Sequence, residues 1–172
     1  NVIDPMVELI TNTYEGKNIG LIGTKRTVQS DIYSSKIKES NKDITLHSLA
    51  TPLLAPMIEE GFFNNQISHE IISEYLNDPT FKNIDALVLA CTHYPLIKKE
   101  IAAFLGSQVD VLDSAIVVAK ALETYLAENN LLNPVGEPDY QFFVSDYTDA
   151  FEASTRLFFH EKVTLERHPL WN

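Results

Sequence analysis

Residues 84–95 read IDALVLACTHYP. The unbroken apolar run Ala86-Leu87-Val88-Leu89-Ala90 predicts a strand buried on both faces, since a strand with one wet face would alternate. It gives way abruptly to Cys91-Thr92-His93-Tyr94-Pro95, and residues 96–105 then have helical character. Pro95 suits a first helical position, where a missing N–H costs nothing. The one cysteine of the chain is therefore expected at the carboxyl end of a central strand, beside a helix start. In open α/β sheets ligands bind in that crevice. A helix N-terminus there favours negative charge, so the expectation is a thiol with a lowered pKa.

A lone cysteine is more often an inert, buried thiol. Here it follows the apolar run rather than lying inside it, and Thr92 and His93 bring a hydroxyl and an imidazole able to bind a substrate and move protons. An ordinary or raised thiol pKa with slow alkylation would instead favour a non-catalytic α/β binding module.

The rest of the chain repeats the strand-then-helix pattern. Val2-Ile3 reads as a strand stub, Asp4 as an N-cap and Pro5 as a first helical residue, with Met6, Leu9, Ile10 and Tyr14 on one face and Gly16 as the stop. Residues 18–23, NIGLIG, form a short buried strand, and Thr24-Lys25-Arg26-Thr27 opens a helix with Val28 and Ile32 inward. Thr24 and Thr27 read equally well as N-capping groups and as the border of an anion site on the same edge as Cys91. Gly20 and Gly23 are too few for a dinucleotide fingerprint, and no Gly-Lys-Ser/Thr follows.

Residues 43–49 predict a third strand, 54–60 a short helix stopped by Gly61, and 67–76 an amphipathic helix with His69 off its apolar face. Residues 109–112 form a strand, and Asp113-Ser114 cap a helix from Ala115 to about Asn129. The first half of that helix is apolar all round and should be enclosed on several sides. Residues 132–139 read as a loop, 140–145 as a strand, 149–160 as an aromatic-rich helix and 163–167 as a last short strand. Trp171 reads as core. Four or five strand–helix units with short joints predict an α/β protein with a largely parallel sheet and right-handed crossovers.

A net charge of −11 argues against nucleic acid or an anionic membrane as partner. One cysteine leaves no internal disulfide or cysteine metal cluster, and His47, His69, His93, His160 and His168 show no metal-ligand spacing, so no metal or other cofactor is expected. No apolar run approaches about 18 residues and no signal peptide is visible, so a cytoplasmic protein is expected.

The segment Leu89-Ala90-Cys91-Thr92-His93-Tyr94-Pro95-Leu96 closely resembles the second cysteine motif of glutamate racemase, a family of the aspartate/glutamate racemase superfamily. The resemblance extends to Val2-Ile3-Asp4-Pro5, Gly23-Thr24 and residues 56–61, and in pattern alone to the last fifty residues. It implies a three-layer αβα domain at 1–115, the second domain of the racemase fold, with 116–172 crossing back to complete a similar first domain. It implies interconversion of L- and D-glutamate without a cofactor, for peptidoglycan. Cys91 would be the base toward L-glutamate, His93 its assistant and Glu59 a further group close to the site. Thr92 would hold the substrate carboxylate or amine. Such chemistry needs a base on one face of the α-carbon and an acid on the other, with the carbanion stabilised by positioned hydrogen bonds in a dry pocket. The family also carries an aspartate-serine, glycine-rich loop and a first cysteine followed by asparagine and threonine, which this sequence does not contain. The chain, opening at Asn1 in what reads as mid-fold, is therefore expected to be a truncated piece, inactive alone. Glutamate is the expected partner, and a homodimer is left open. The alternatives are an aspartate- or hydantoin-type racemase of the superfamily and the binding module.

Overall fold

The computed structural model describes residues 1–133, 140–147, 152, 155, 156, 158, 159, 161 and 163–170. Helix α1 spans Asp4–Thr13, strand β1 Lys17–Gly23, α2 Lys25–Gln29, α3 Ile32–Glu39 and β2 Ile44–Ala50. Then come α4 (Leu54–Glu59), α5 (Gln66–Leu76), β3 (Ala86–Ala90), α6 (Lys98–Leu105), β4 (Asp110–Asp113) and α7 (Ser114–Glu128). The strands form one parallel sheet in the order β2-β1-β3-β4. The chain leaves β1 for one side and returns to β3 on the other, so the switch point lies between β1 and β3. There the sheet opens a crevice beyond its carboxyl ends.

The continuous apolar run of β3 is explained by its two neighbours in space. Leu87 and Leu89 enter a cluster with Ile22, Leu54, Met57, Ile58, Ile72, Tyr94 and Ile101. Ala86 and Val88 enter a second cluster with Met6, Ile10, Ile19, Leu21, Tyr33 and Ile37. Helices therefore cover both faces, giving the expected three-layer αβα arrangement. Gly20 lets the first face pack closely, and any side chain there would displace its neighbours. A Cβ there would lie 2.9 Å from both Ile84 Cδ1 and Leu87 Cδ1, closer than packed carbons approach.

Several local expectations are corrected. Val2 and Ile3 form no strand, and the cap position of α1 is Ile3, with Asn1 Oδ1 accepting from the N–H groups of Ile3 and Asp4. The helix opened at Thr24 breaks after five residues, where Asp31 adopts a positive φ of 51° before α3 begins. Pro95 is the second residue of a 3₁₀ turn, Tyr94–Ile97, and the α-helix follows only at Lys98. Helix α7 is capped by Asp113 as expected, but none of its residues is buried and Ile116 is 48% exposed, so its apolar first half is not enclosed. It packs against α1 on one side.

Two compact units divide the chain at residues 1–131 and 132–172. In the second, β5 (Phe142–Val144) pairs in parallel with β6 (Leu165–Arg167). The expected helix at 149–160 lies largely outside the described residues, as do residues 134–139, His160 and Trp171. No helix among the described residues is long and apolar enough to cross a membrane, and none of their His, Cys, Asp and Glu residues group to hold a metal ion.

Candidate functional site

Register fixes where the site residues emerge. Gly23 pairs with Ala50 on one side and Ala90 on the other, so Thr24, Thr51 and Cys91 are the first residues beyond three neighbouring strand ends. Thr24 caps α2: its Oγ1 accepts from the Thr27 N–H at 3.2 Å and lies 3.0 Å from Thr27 Oγ1. The capping reading of Thr24 therefore holds. Thr27 in addition lines a cavity of about 450 Å³ together with Cys91, Thr92, Tyr33, Ser114 and Ala115, a size suited to a small ligand.

Cys91 is half-buried at the edge of that cavity. Its sulfur lies 3.8 Å from His93 Nδ1, and Thr92 Oγ1 lies 3.4 Å from the same nitrogen. On the opposite side of the ring, His93 Nε2 is 2.9 Å from Glu59 Oε1. A carboxylate accepts only, so this contact puts the proton of a neutral imidazole on Nε2 and leaves Nδ1 as an acceptor facing the thiol. Cys91, His93 and Glu59 thus stand in one line of contacts, brought together from the ends of β3 and α4. Of the pair Glu59-Glu60, it is Glu59 that turns to the site.

The thiol itself does not follow the sequence expectation. Burial pushes the Cys91 pKa above its ordinary value. The N–H groups of His93 and Tyr94 pull it back without cancelling that effect, and the Glu59 charge adds to the rise. The start of a 3₁₀ turn supplies two local donors but no long aligned helix, so desolvation wins. Taken alone, a raised thiol is what an inert cysteine would show. The imidazole within reach and the cavity at the sulfur set this one apart.

Sequence reasoning missed three groups. Thr51, which lies between the expected strand at 43–49 and the expected helix at 54–60, is fully buried, and its N–H donates to Gly23 O. Tyr94 is fully buried, with its hydroxyl on Thr51. Ser114, read only as part of a cap, donates from Oγ to Leu89 O at 2.9 Å and lines the cavity. A hydroxyl residue directly after a strand's carboxyl end was the available signal in two of the three cases.

No family model matches the chain. It is 36% identical over 164 residues to glutamate racemase 3 of Caldanaerobacter subterraneus, covering 95% of this chain and 60% of that protein. It is 40% identical over 147 residues to the glutamate racemase of a Thermoanaerobacter species, covering 86% and 56%. The crystal structure of glutamate racemase from Francisella tularensis in complex with D-glutamate superposes with a TM-score of 0.87 at 36% identity, over 97% of this chain and 62% of that one. The glutamate racemase isoform RacE1 from Bacillus anthracis gives 0.89 at 29% identity, over 98% and 64%. The chain thus spans about three fifths of the length of these relatives. Over the part it spans, the chain is similar in both sequence and fold to the glutamate racemases.

Proposed function

We propose that this chain carries one of the two proton-transfer halves of a cofactor-independent glutamate racemase. The observation that carries the reading is the Cys91–His93–Glu59 chain beside a cavity lined by the hydroxyls of Thr92 and Thr27. It is supported by relatives named glutamate racemase and by a neighbour whose structure holds D-glutamate.

In this reading Cys91 faces the α-carbon of L-glutamate and His93 Nδ1 takes the thiol proton, because burial disfavours a resting thiolate. The thiolate so formed removes the α-proton, and Glu59 stabilises the imidazolium through its Nε2 contact. Thr92 and Thr27 bind the substrate's carboxylate or amine, while Thr24 acts through Thr27. The α-carbanion is then protonated from the opposite face by a second acid. This sequence contains one cysteine, so the polypeptide alone supplies one face and does not racemise. A homodimer would add a second copy of Cys91 and no different group. Residues 1–115 would be the second domain of the racemase fold and 116–172 the part completing the first. The product D-glutamate would serve peptidoglycan synthesis in the cytoplasm.

The test is hydrogen exchange at the α-carbon in deuterated water, read by NMR together with chiral analysis. The polypeptide should exchange the α-hydrogen of L-glutamate with retention of configuration, and Cys91→Ala should abolish the exchange. Full racemisation without added polypeptide would overturn the single-face reading. Absence of both exchange and glutamate binding would overturn the function.

A further inference from the structure

We propose that Tyr94 is a positioning residue whose hydroxyl, through Thr51, holds Glu59 in reach of His93. The two halves of the proton chain come from different strand ends. Cys91 and His93 follow β3, whereas Glu59 is the last residue of α4, which follows β2. Something must fix one loop to the other, because a few tenths of an ångström decide whether an imidazole bridges two partners.

The phenol is placed to do this. Tyr94 sits one residue after His93, is fully buried, and donates its backbone N–H to Cys91 O at 3.2 Å. Its hydroxyl lies 2.7 Å from Thr51 Oγ1 and donates to Thr51 O at 3.1 Å. Thr51 is in turn anchored on β1, its N–H donating to Gly23 O at 2.9 Å. The same Thr51 carbonyl accepts from the N–H of Leu54, the first residue of α4. One hydroxyl therefore ties the cysteine loop to the residue from which the Glu59 helix departs. Packing alone would be less directional: Leu54, Met57, Ile58 and the Tyr94 ring share one apolar cluster, which constrains distance but not register.

The catalytic meaning of the brace rests on the proposed racemase reading, but its test does not use glutamate. Tyr94→Phe keeps the ring and removes the hydroxyl with both of its contacts on Thr51, whereas Thr51→Val removes the Oγ1 contact alone and leaves the carbonyl one. The readouts are the ¹⁵N NMR tautomer of His93 and the pH profile of Cys91 alkylation. Tyr94→Phe should reduce the share of the Nε2–H tautomer that the Glu59 contact selects and change the alkylation profile in step, and Thr51→Val should do the same to a smaller extent. Tyr14→Phe serves as control, since it removes a hydroxyl bonded to Asp110 Oδ2 at 2.8 Å, outside this bond network, and should leave both readouts unchanged. Folded variants whose tautomer share and alkylation profile match the parent would overturn the proposal. So would loss of folding in both, which would assign the pair to stability alone. Coupled changes in the two readouts, in a chain that neither binds nor exchanges glutamate, would uphold the brace while removing the racemase reading.

Discussion

The Nε2 atom of His93 lies 2.9 Å from Oε1 of Glu59, and this contact decides which ring nitrogen faces Cys91. The carboxylate favours a proton on the imidazole, yet its negative charge also opposes ionisation of the thiol beyond the ring. The two effects oppose each other, so one substitution separates them.

Glu59→Gln should make Cys91 more reactive toward alkylation while weakening its use as a base. Removing the charge lets the thiol pKa fall, which raises the thiolate fraction at neutral pH. Glu59 is 53% exposed, so solvent screens the effect and the rate should rise only about two- to threefold. Exchange of glutamate's α-hydrogen should fall, because the imidazolium loses its charged partner. Iodoacetamide kinetics at neutral pH check the first half; an unchanged or slower rate would remove Glu59 from the electrostatics of the thiol.

Alkaline stability follows from the buried hydroxyls. Burial pushes the Tyr94 phenol up to about 12, against the opposing hydrogen bond from Thr51. Burial, with the Asp110 carboxylate beside it, takes Tyr14 to about 12 as well. Burial raises Tyr33 and Cys91 in the same direction. Each of these groups holds its proton more tightly folded than unfolded. Their contributions are thus complete below the unfolded values, roughly 8.5 for a thiol and 10 for a phenol, and are lost as pH rises through the folded values. The melting temperature should fall steadily above about pH 9, with the Tyr94 and Tyr14 phenolates appearing only as the fold opens. Circular dichroism and phenolate absorbance followed on one sample would show it; either tyrosine ionising near 10 in the intact fold would contradict the assignment.

How much of this was legible in the sequence depended on whether a feature is local. The apolar run of β3, the left-handed Gly61 stop (φ 75°) and the capping threonine announce themselves within a few residues. So does the placement of Cys91 at a strand's end. The sign of its pKa shift does not, because it depends on how much apolar surface surrounds the sulfur against two backbone donors. Nor does the Tyr94–Thr51 bond, whose partners are 43 residues apart. The enclosure expected of α7 failed for a related reason: an apolar pattern states which surface can be covered, while coverage depends on what packs there.

The last case of a distant partnership is Glu100 on α6. This carboxylate is only 8% exposed, yet it accepts the Asn64 N–H at 2.8 Å and the Ser68 hydroxyl at 2.6 Å, and lies 3.1 Å from His69 Nε2. Asn65 and Ser68 form the capping box of α5, so Glu100 joins the start of α5 to α6. Glu100→Ala would leave the exposed Asn64 N–H to water and the buried Ser68 hydroxyl with Asn65 O alone, and should cost roughly 1–3 kcal/mol. Glu100→Gln keeps an acceptor oxygen and should cost about half as much. Neither should change the alkylation rate of Cys91 in the folded chain, since none of these groups touches the sulfur. Urea denaturation gives the first quantity and thiol kinetics the second. A loss below about 1 kcal/mol for the alanine variant would mean that water replaces the carboxylate at the α5 start without penalty.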